Sequence, residues 1–259
     1  MRTSVSLNGT DMRELGRDVL VLGVNERAPQ LASTTLDKGT GVGAWITGRK
    51  RSFIEVGVLF ALRTRRDRVL RAQTLERVSA WAEGGGILRA SHRPGRRLNV
   101  VCEALPEAGR IGEWTSEYEA VFRAYDVPYW EDEQLASLGK ETADETLEVT
   151  RQGTAPTPLW FSARNTGTAA ADTLAIACGS TRMDFAGLGM AVGETLVCDA
   201  YGGLPRVVIL GTDGAVRDAT GKRAITSDDE LMLTGHREKI SMKASQRMVW
   251  TLSHRGRYA

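Results

Sequence analysis

Alternation of apolar and polar residues between Ser52 and Leu62 predicts the best-defined strand of the chain, because period-2 hydrophobicity is typical of a strand laid on a core. From Thr64 the apolar residues recur at spacings of three and four, which predicts an amphipathic helix with a capping box at Thr64 and Asp67. Three glycines at 84–86 end this helix. Shorter alternations predict three more strands, around 87–90, 98–104 and 118–124.

The first fifty residues predict short strands joined by turns. A strand over 4–7, an Asn8-Gly9 hairpin turn and a second strand ending near Leu15 precede a third strand over 19–24. The glycine-rich stretch 36–43 lacks both the phosphate-binding lysine motif and the third glycine of a dinucleotide fingerprint. We therefore interpret it as a surface loop.

The second half of the chain reads as all-β. Glycine- and asparagine-containing turns separate about eight short apolar strands at regular intervals between residues 159 and 252, which favours a β-sandwich or barrel. Apolar periodicity stops over the acidic stretch 131–146, which we interpret as an exposed, protease-sensitive linker. The sequence thus predicts a mainly β protein with domains at 1–130 and 147–259, and one helix in the first.

Charge is balanced overall but segregated along the chain. The net charge is +2, which disfavours a general nucleic-acid-binding role. Residues 49–97 contain thirteen basic and four acidic side chains, whereas 103–148 contain three basic and thirteen acidic ones. No stretch is long and apolar enough for a membrane span or a secretory leader, so we expect a soluble protein made in the cytoplasm.

Candidate chemistry is sparse. The three histidines have no spaced partners and are expected in solvated loops, and the three cysteines are expected to be small buried hydrophobic residues. The acidic triplets 131–133 and 228–230 lack the register of a calcium loop, so no metal, cofactor or catalytic residue is predicted. Among the aromatic residues of the second half, we expect Trp160 and Trp250 in the core and Tyr201 as the one possible sugar-stacking platform.

The order of these features resembles the distal tail proteins of long-tailed, non-contractile bacteriophages (siphophages). The resemblance covers nearly the whole chain. It is carried by the strand–helix–strand unit, the Pro94-Gly95-Arg96 turn, the strand end 126–130, the segment 153–158 before a strand, the strand at 196–199 and the closing residues 255–258.

This resemblance implies a structural protein of the phage tail tip. It implies a hexameric ring that joins the tail tube to the distal tip or baseplate, with a tail-tube-like β-sandwich or barrel and one flanking helix at the N-terminus and a galectin-like β-sandwich at the C-terminus. The implied partners are the tail-tube protein, tip proteins and phage DNA passing through the channel without specific binding. The implied location is the tail tip of the virion, after synthesis in the host cytoplasm, without membrane insertion or enzymatic activity.

The clustered arginines predict an assembly interface, and two alternative functions stay open: a carbohydrate-binding or adhesin module, and an enzyme of unrecognised type, which would need convergent polar residues with perturbed pKa values in a pocket. Arg63, Arg65, Arg66 and Arg68 oppose the dipole at the start of the predicted helix, so we expect acidic neighbours there. Our hypothesis is that Arg65, Arg66 and Arg68 face Glu131, Asp132 and Glu133 of an adjacent subunit in the ring. A carbohydrate-binding or adhesin module would place binding in residues 147–259 alone.

Overall fold

The computed structural model describes residues 3–29, 31–37, 44–63, 67–106, 116–199 and 206–258. The chain divides into two compact units, Met1–Glu131 and Asp132–Ala259. Over the described residues it is mainly β with one α-helix, as the sequence predicts. No described helix is long and apolar enough to cross a membrane.

Unit 1 is built on one curved path of strands. Their order is β2-β1-β7-β8-β9-β6-β3, β10 pairs with β8, and β4 and β5 form a separate two-stranded sheet. The elements, in chain order, are β1 (Val5–Leu7), β2 (Thr10–Asp11), a 3₁₀ turn (Met12–Leu15), β3 (Val19–Arg27), β4 (Leu31–Asp37), β5 (Ala44–Arg51), β6 (Ile54–Leu62), α1 (Arg68–Glu83), β7 (Gly86–Ala90), β8 (Arg96–Ala104), β9 (Ser116–Ala124) and β10 (Trp130–Asp132).

Strand β6 supplies the centre of the unit 1 core, as its alternation predicts. It is antiparallel to β3 on one edge and to β9 on the other. Phe60 and Phe122 are fully buried, and Phe60 stacks on Tyr118 with ring centroids 5.3 Å apart. Cys102, on β8, is only half-buried, so the expectation that all three cysteines are buried is wrong for this one.

Helix α1 forms where the spacing predicts it, but it is rotated and capped differently. Asp67 is the N-cap, and its side chain accepts a hydrogen bond from Leu70 N. Leu75, Val78 and Ala82 are buried as expected, whereas Val69 is 67% exposed. Arg71 and Thr74 are buried in its place, so the stripe that enters the core is less apolar than the sequence suggests.

The Asn8-Gly9 turn is a hairpin turn with φ of 52° and 89°, the left-handed geometry that this dipeptide favours. The strand expected to reach Leu15 instead ends at Asp11, whose side chain accepts a hydrogen bond from Arg13 N and starts the 3₁₀ turn. The segment 38–43 lies outside the described residues, while its neighbours belong to β4 and β5.

Unit 2 has the strand order β14-β13-β19-β12-β15-β16-β17, with β11 paired to β19 and β18 to β12. The elements are β11 (Ala136–Thr150), β12 (Thr157–Asn165), β13 (Leu174–Cys178), β14 (Thr181–Phe185), β15 (Thr195–Asp199), β16 (Arg206–Leu210), β17 (Val216–Asp218), a 3₁₀ turn (Thr220–Lys222), β18 (Leu231–Leu233), β19 (Arg237–His254) and β20 (Arg257–Tyr258).

The predicted linker over 131–146 is wrong for most of its length. Residues 136–150 form β11, which pairs antiparallel with β19 along its whole length apart from a bulge between Thr142 and Asp144. The ladder with β19 pairs the backbone along one edge of β11, although most of its side chains are polar and exposed. Strand β19 is also longer than expected, because the two strands predicted at 240–244 and 248–252 are one strand of 18 residues.

The core of unit 2 includes fully buried Trp250, whose ring lies 6.0 Å from that of Phe161 and whose Nε1 donates to Thr142 O at 3.2 Å. Cys178 and Cys198 are buried as expected. Burial raises the pKa of Cys178 to about 12 and that of Cys198 to about 11, so neither thiol is a nucleophile at neutral pH.

Candidate assembly surfaces

The most exposed apolar surface of unit 1 is the β4–β5 hairpin. The large apolar side chains Leu31, Leu36, Trp45 and Ile46 are each 56–63% exposed. Among the described residues, this two-stranded sheet pairs with no other strand. A hairpin of two strands is barely stable in water by itself and is expected to gain stability from a partner surface.

Apolar side chains project from both faces of the hairpin. Leu36 pairs directly with Trp45, so these two side chains share one face. Ile46 pairs with Thr35 and therefore lies on the opposite face. A single flat partner would cover one of these faces and leave the other in water.

A second candidate surface is the outer edge of β3. This nine-residue strand ends the strand order of unit 1 and pairs with β6 on its inner side. In the part of the chain that the structure describes, no strand occupies its outer side, so its backbone groups there are able to pair with another molecule.

Only some of the charged residues proposed for the interface lie among the described residues. Arg65 and Arg66 lie outside the described residues, while Arg68 is the exposed first residue of α1. Glu131 forms an ion pair with Arg97 at 3.7 Å, and the Asp132 carboxylate accepts a hydrogen bond from the Tyr258 hydroxyl at 3.1 Å.

The backbone near the acidic triplet is also engaged within the protomer. Arg255 Nη1 donates to the carbonyl oxygens of Asp132, at 2.9 Å, and of Glu133. These contacts within the protomer make the acidic triplet less available to a neighbouring subunit than it would be in an exposed linker.

Unit 1 also contains an ion-pair cluster around Glu55. The buried carboxylate of Glu55 lies between Arg27 at 2.6 Å and Arg123 at 2.8 Å, and Arg123 also contacts Glu103 at 2.8 Å. Glu55 belongs to the basic segment 49–97 and Arg123 to the acidic segment 103–148, so this pair joins the two segments within one protomer, as the Arg97–Glu131 pair does.

A further ion-pair cluster links β3 to the turn before β8. Glu26 contacts His92 at 2.5 Å and Arg93 at 2.8 Å. Burial opposes ionisation of Glu26, but the hydrogen bonds from Arg93 and His92 outweigh it and lower the pKa of this carboxyl. His92 is thus paired rather than simply solvated.

The expectation that all three histidines lie in solvated loops is wrong for His254. This residue ends β19 and is 5% exposed. Burial lowers its pKa, opposed by the charge of Asp132. His236 is exposed, as expected.

The features that a sugar-binding or metal site would need are not assembled among the described residues. Trp250 and Phe161 are buried, Trp160 is half-buried, and Tyr201 lies outside the described residues. No group of three or more potential metal ligands occurs in the described parts of the chain.

Comparison with known proteins identifies the fold. No family model matches the sequence, and no curated protein matches it. The solved structure of the Dit protein of phage SPP1, described as a paradigm of the hub adsorption apparatus in phages that infect Gram-positive bacteria, superposes with a TM-score of 0.76 over 100% of both chains at 16% identity.

Two structures of the phage p2 baseplate in its activated conformation, with Sr and with Ca, are more distant. Their TM-scores are 0.45 and 0.43 at 6% identity, and they cover 97% and 94% of this chain and 97% and 98% of their own. The fold defined by the SPP1 structure is that of a phage tail hub protein with β-sandwich domains. The mainly β fold expected for the chain is therefore confirmed.

Proposed function

We propose that this chain is a structural subunit of a phage tail tip, assembling into a hexameric ring that joins the tube of a long non-contractile tail to the distal tip. The observation that carries the proposal is the superposition on the SPP1 Dit protein over the full length of both chains. Such a subunit works by holding its neighbours in place, and no catalytic role is proposed for it.

The proposed architecture assigns a role to each unit. Unit 1 is the ring-forming, tail-tube-like domain, and unit 2 is a galectin-like outer domain. The ring contacts the tail-tube protein and the proteins of the tip, and phage DNA passes through its channel without specific binding. We place the protein in the tail tip of the virion after synthesis in the host cytoplasm.

The β4–β5 hairpin supplies the adhesive surface that such a ring requires. Complete burial of a large apolar side chain contributes roughly 1.5–3 kcal/mol, so covering side chains that are a little over half exposed contributes about 1–2 kcal/mol each. Because the apolar side chains lie on both faces, we expect the hairpin to be enclosed between two surfaces. The open edge of β3 provides backbone groups for the same contact.

Light scattering behind a sizing column, together with negative-stain electron micrographs, tests the proposal. We expect a mass near six protomers and ring-shaped particles with an open centre. The double variant Leu36→Ser/Trp45→Ser removes the apolar pair from one hairpin face and is expected to shift the protein to protomers. Val216→Ser, at an exposed apolar residue of β17 in unit 2, is the matched control and is expected to leave the ring intact.

Two results would contradict the proposal, the first overturning the ring itself and the second only the hairpin as its assembly surface. One is a wild-type protein that remains a protomer at every concentration and is not recruited to tail tubes. The other is a ring that tolerates the hairpin variant as well as the control, which would remove the hairpin from the assembly surface.

A further inference from the structure

A cavity of about 410 Å³ lies where β3 begins in unit 1. Three arginines from three separate segments meet there: Arg13 from the 3₁₀ turn, Arg17 from the following loop and Arg63 from the end of β6. Thr3 and the first residues of β3, 19–21, complete the lining. We call this feature the arginine cavity.

Backbone hydrogen bonds hold the segments of the arginine cavity together. Val19 N donates to Gly16 O at 3.1 Å, which closes the loop that carries Arg17. Arg63 N donates to Asp18 O at 2.9 Å, which fixes the end of β6 against the same loop. The Cα atoms of Arg17 and Arg63 are thus held in place before any ligand binds, which lowers the entropy cost of ordering them on binding.

The positive charge of the cavity is incompletely neutralised. Arg13 forms a fork with Asp11, with Nε to Oδ1 at 2.9 Å and Nη2 to Oδ2 at 2.6 Å, which leaves Nη1 for another acceptor. The side-chain hydrogen bond from Arg13 lowers the pKa of Asp11, so this partner stays charged. The side chains of Arg17 and Arg63 make no ion pair with any described residue.

The carboxylates that are close in sequence do not fill the cavity. Glu14 and Asp18 are its nearest acidic neighbours along the chain, and neither belongs to the lining. Arg17 and Arg63 therefore line a cavity that the described part of the protomer leaves open.

The shape and chemistry of the cavity select among anions. Planar guanidinium groups bind carboxylates through paired hydrogen bonds. The volume suits a few side chains, and the start of β3 adds the apolar residues Val19, Leu20 and Val21 to the wall. A nucleic-acid strand needs an extended basic track with aromatic stacking surfaces, and none of the described lining residues is aromatic.

We propose that the arginine cavity binds a short acidic peptide segment of a neighbouring protein, with Arg17 and Arg63 pairing with its carboxylates and Arg13 supplying a third donor. This site is a property of the protomer and does not require that a hexameric ring forms. It also explains why Arg63, at the edge of the basic cluster 63–68, has no acidic partner among the described residues of unit 1.

Fluorescence anisotropy with a labelled hexaglutamate peptide tests the proposal on the full-length protein. We expect saturable binding that weakens as sodium chloride rises from about 50 to about 500 mM, because these charges are partly exposed and are screened by salt. Arg17→Gln/Arg63→Gln removes both charges while leaving shorter, polar side chains and should weaken binding by about tenfold or more. Arg77→Gln, at an exposed position of α1, is the control and should leave binding unchanged.

Competition against the labelled hexaglutamate identifies the ligand class. The competitors are a second acidic peptide, inorganic phosphate and a single-stranded oligonucleotide, all unlabelled. Displacement by a second acidic peptide, with much weaker displacement by the oligonucleotide at equal charge, supports the proposal. Tighter binding of the oligonucleotide, equal losses for the double variant and the Arg77→Gln control, or unchanged binding in the double variant would each overturn it. Circular dichroism melts of the variants establish that a loss of binding is not a loss of fold.

Discussion

Asn8 connects the first hairpin turn to the exit of α1, and its replacement gives a sharp test of the unit 1 fold. Its Nδ2 donates to Gly85 O at 2.8 Å, and its Oδ1 accepts from Ile87 N at 2.9 Å. Its own φ is 52°, a conformation that most residues other than glycine and asparagine adopt at a cost. Replacement therefore removes two hydrogen bonds and, for most residues, adds backbone strain.

The magnitude follows from these two effects. Because the site is partly exposed, each lost hydrogen bond is expected to cost about 0.5–1 kcal/mol, near the lower end of the usual range. Alanine adds roughly 1 kcal/mol for the left-handed backbone. Asn8→Ala should thus destabilise unit 1 by about 2–3 kcal/mol, and Asn8→Gly, which avoids the strain, by about 1–2 kcal/mol.

Hydrogen-exchange mass spectrometry reads each unit separately. If amides of β6 exchange through global opening of unit 1, Asn8→Ala should accelerate their exchange about 30- to 150-fold, since 1.4 kcal/mol corresponds to a factor of ten. Peptides from β19 in unit 2 should be unaffected and serve as the internal control. A glycine variant that is less stable than the alanine variant, or an alanine variant that exchanges like the wild type, would refute this reasoning.

Two other predictions concern unit 2. Burial lowers the folded-state pKa of His254, so its contribution to stability is complete above the unfolded pKa of about 6.5 and is lost as the pH falls below that value. Between about pH 7.5 and 5 the melting temperature should therefore decline more steeply for the wild type than for His254→Leu. Parallel curves for the two proteins would contradict this. Since β11 is paired along its length, trypsin and a Glu-specific protease should make their first cuts outside 136–150, and a first cut inside that range would show that the ladder with β19 opens readily.

The parts of the fold that could be predicted from the sequence are those in which one side of an element faces the core. Strand β6 shows this, since its even-numbered residues are all buried in the unit 1 core. Strand β11 could not be predicted in the same way, because most of its side chains are exposed and its conformation is imposed by backbone pairing with β19. A pattern of side chains carries no information about such a strand.

A missed signal does exist for β19. Alternation continues in register from Ile240 through Trp250, with Gln246 as the polar interruption on the inward-facing positions. The two predicted strands, at 240–244 and 248–252, are separated at this one polar residue. The continuity of β19 was therefore readable from the sequence.

The candidate surfaces needed the structure. The sequence predicts no strand at β4 and places Leu36 in a loop, and only the sheet topology shows that β4 and β5 join no larger sheet among the described residues. The arginine cavity brings Arg13 and Arg17 to Arg63 across nearly fifty residues of chain, a proximity that depends on the pairing of β3 with β6. Local sequence fixes neither feature, because both depend on which strands become neighbours.

The β11–β19 ladder also determines how unit 2 responds to mechanical load. Ala136 pairs with His254 at one end of the ladder, and Thr150 pairs with Arg237 at the other. A pulling force applied between Ala136 and His254 acts across the strands and breaks their hydrogen bonds one rung at a time, whereas a force applied between Ala136 and Arg237 acts along the strands and must break many bonds together. Unit 2 is therefore mechanically anisotropic: it peels open from the end at which β11 begins, and it resists stretching along the length of the ladder.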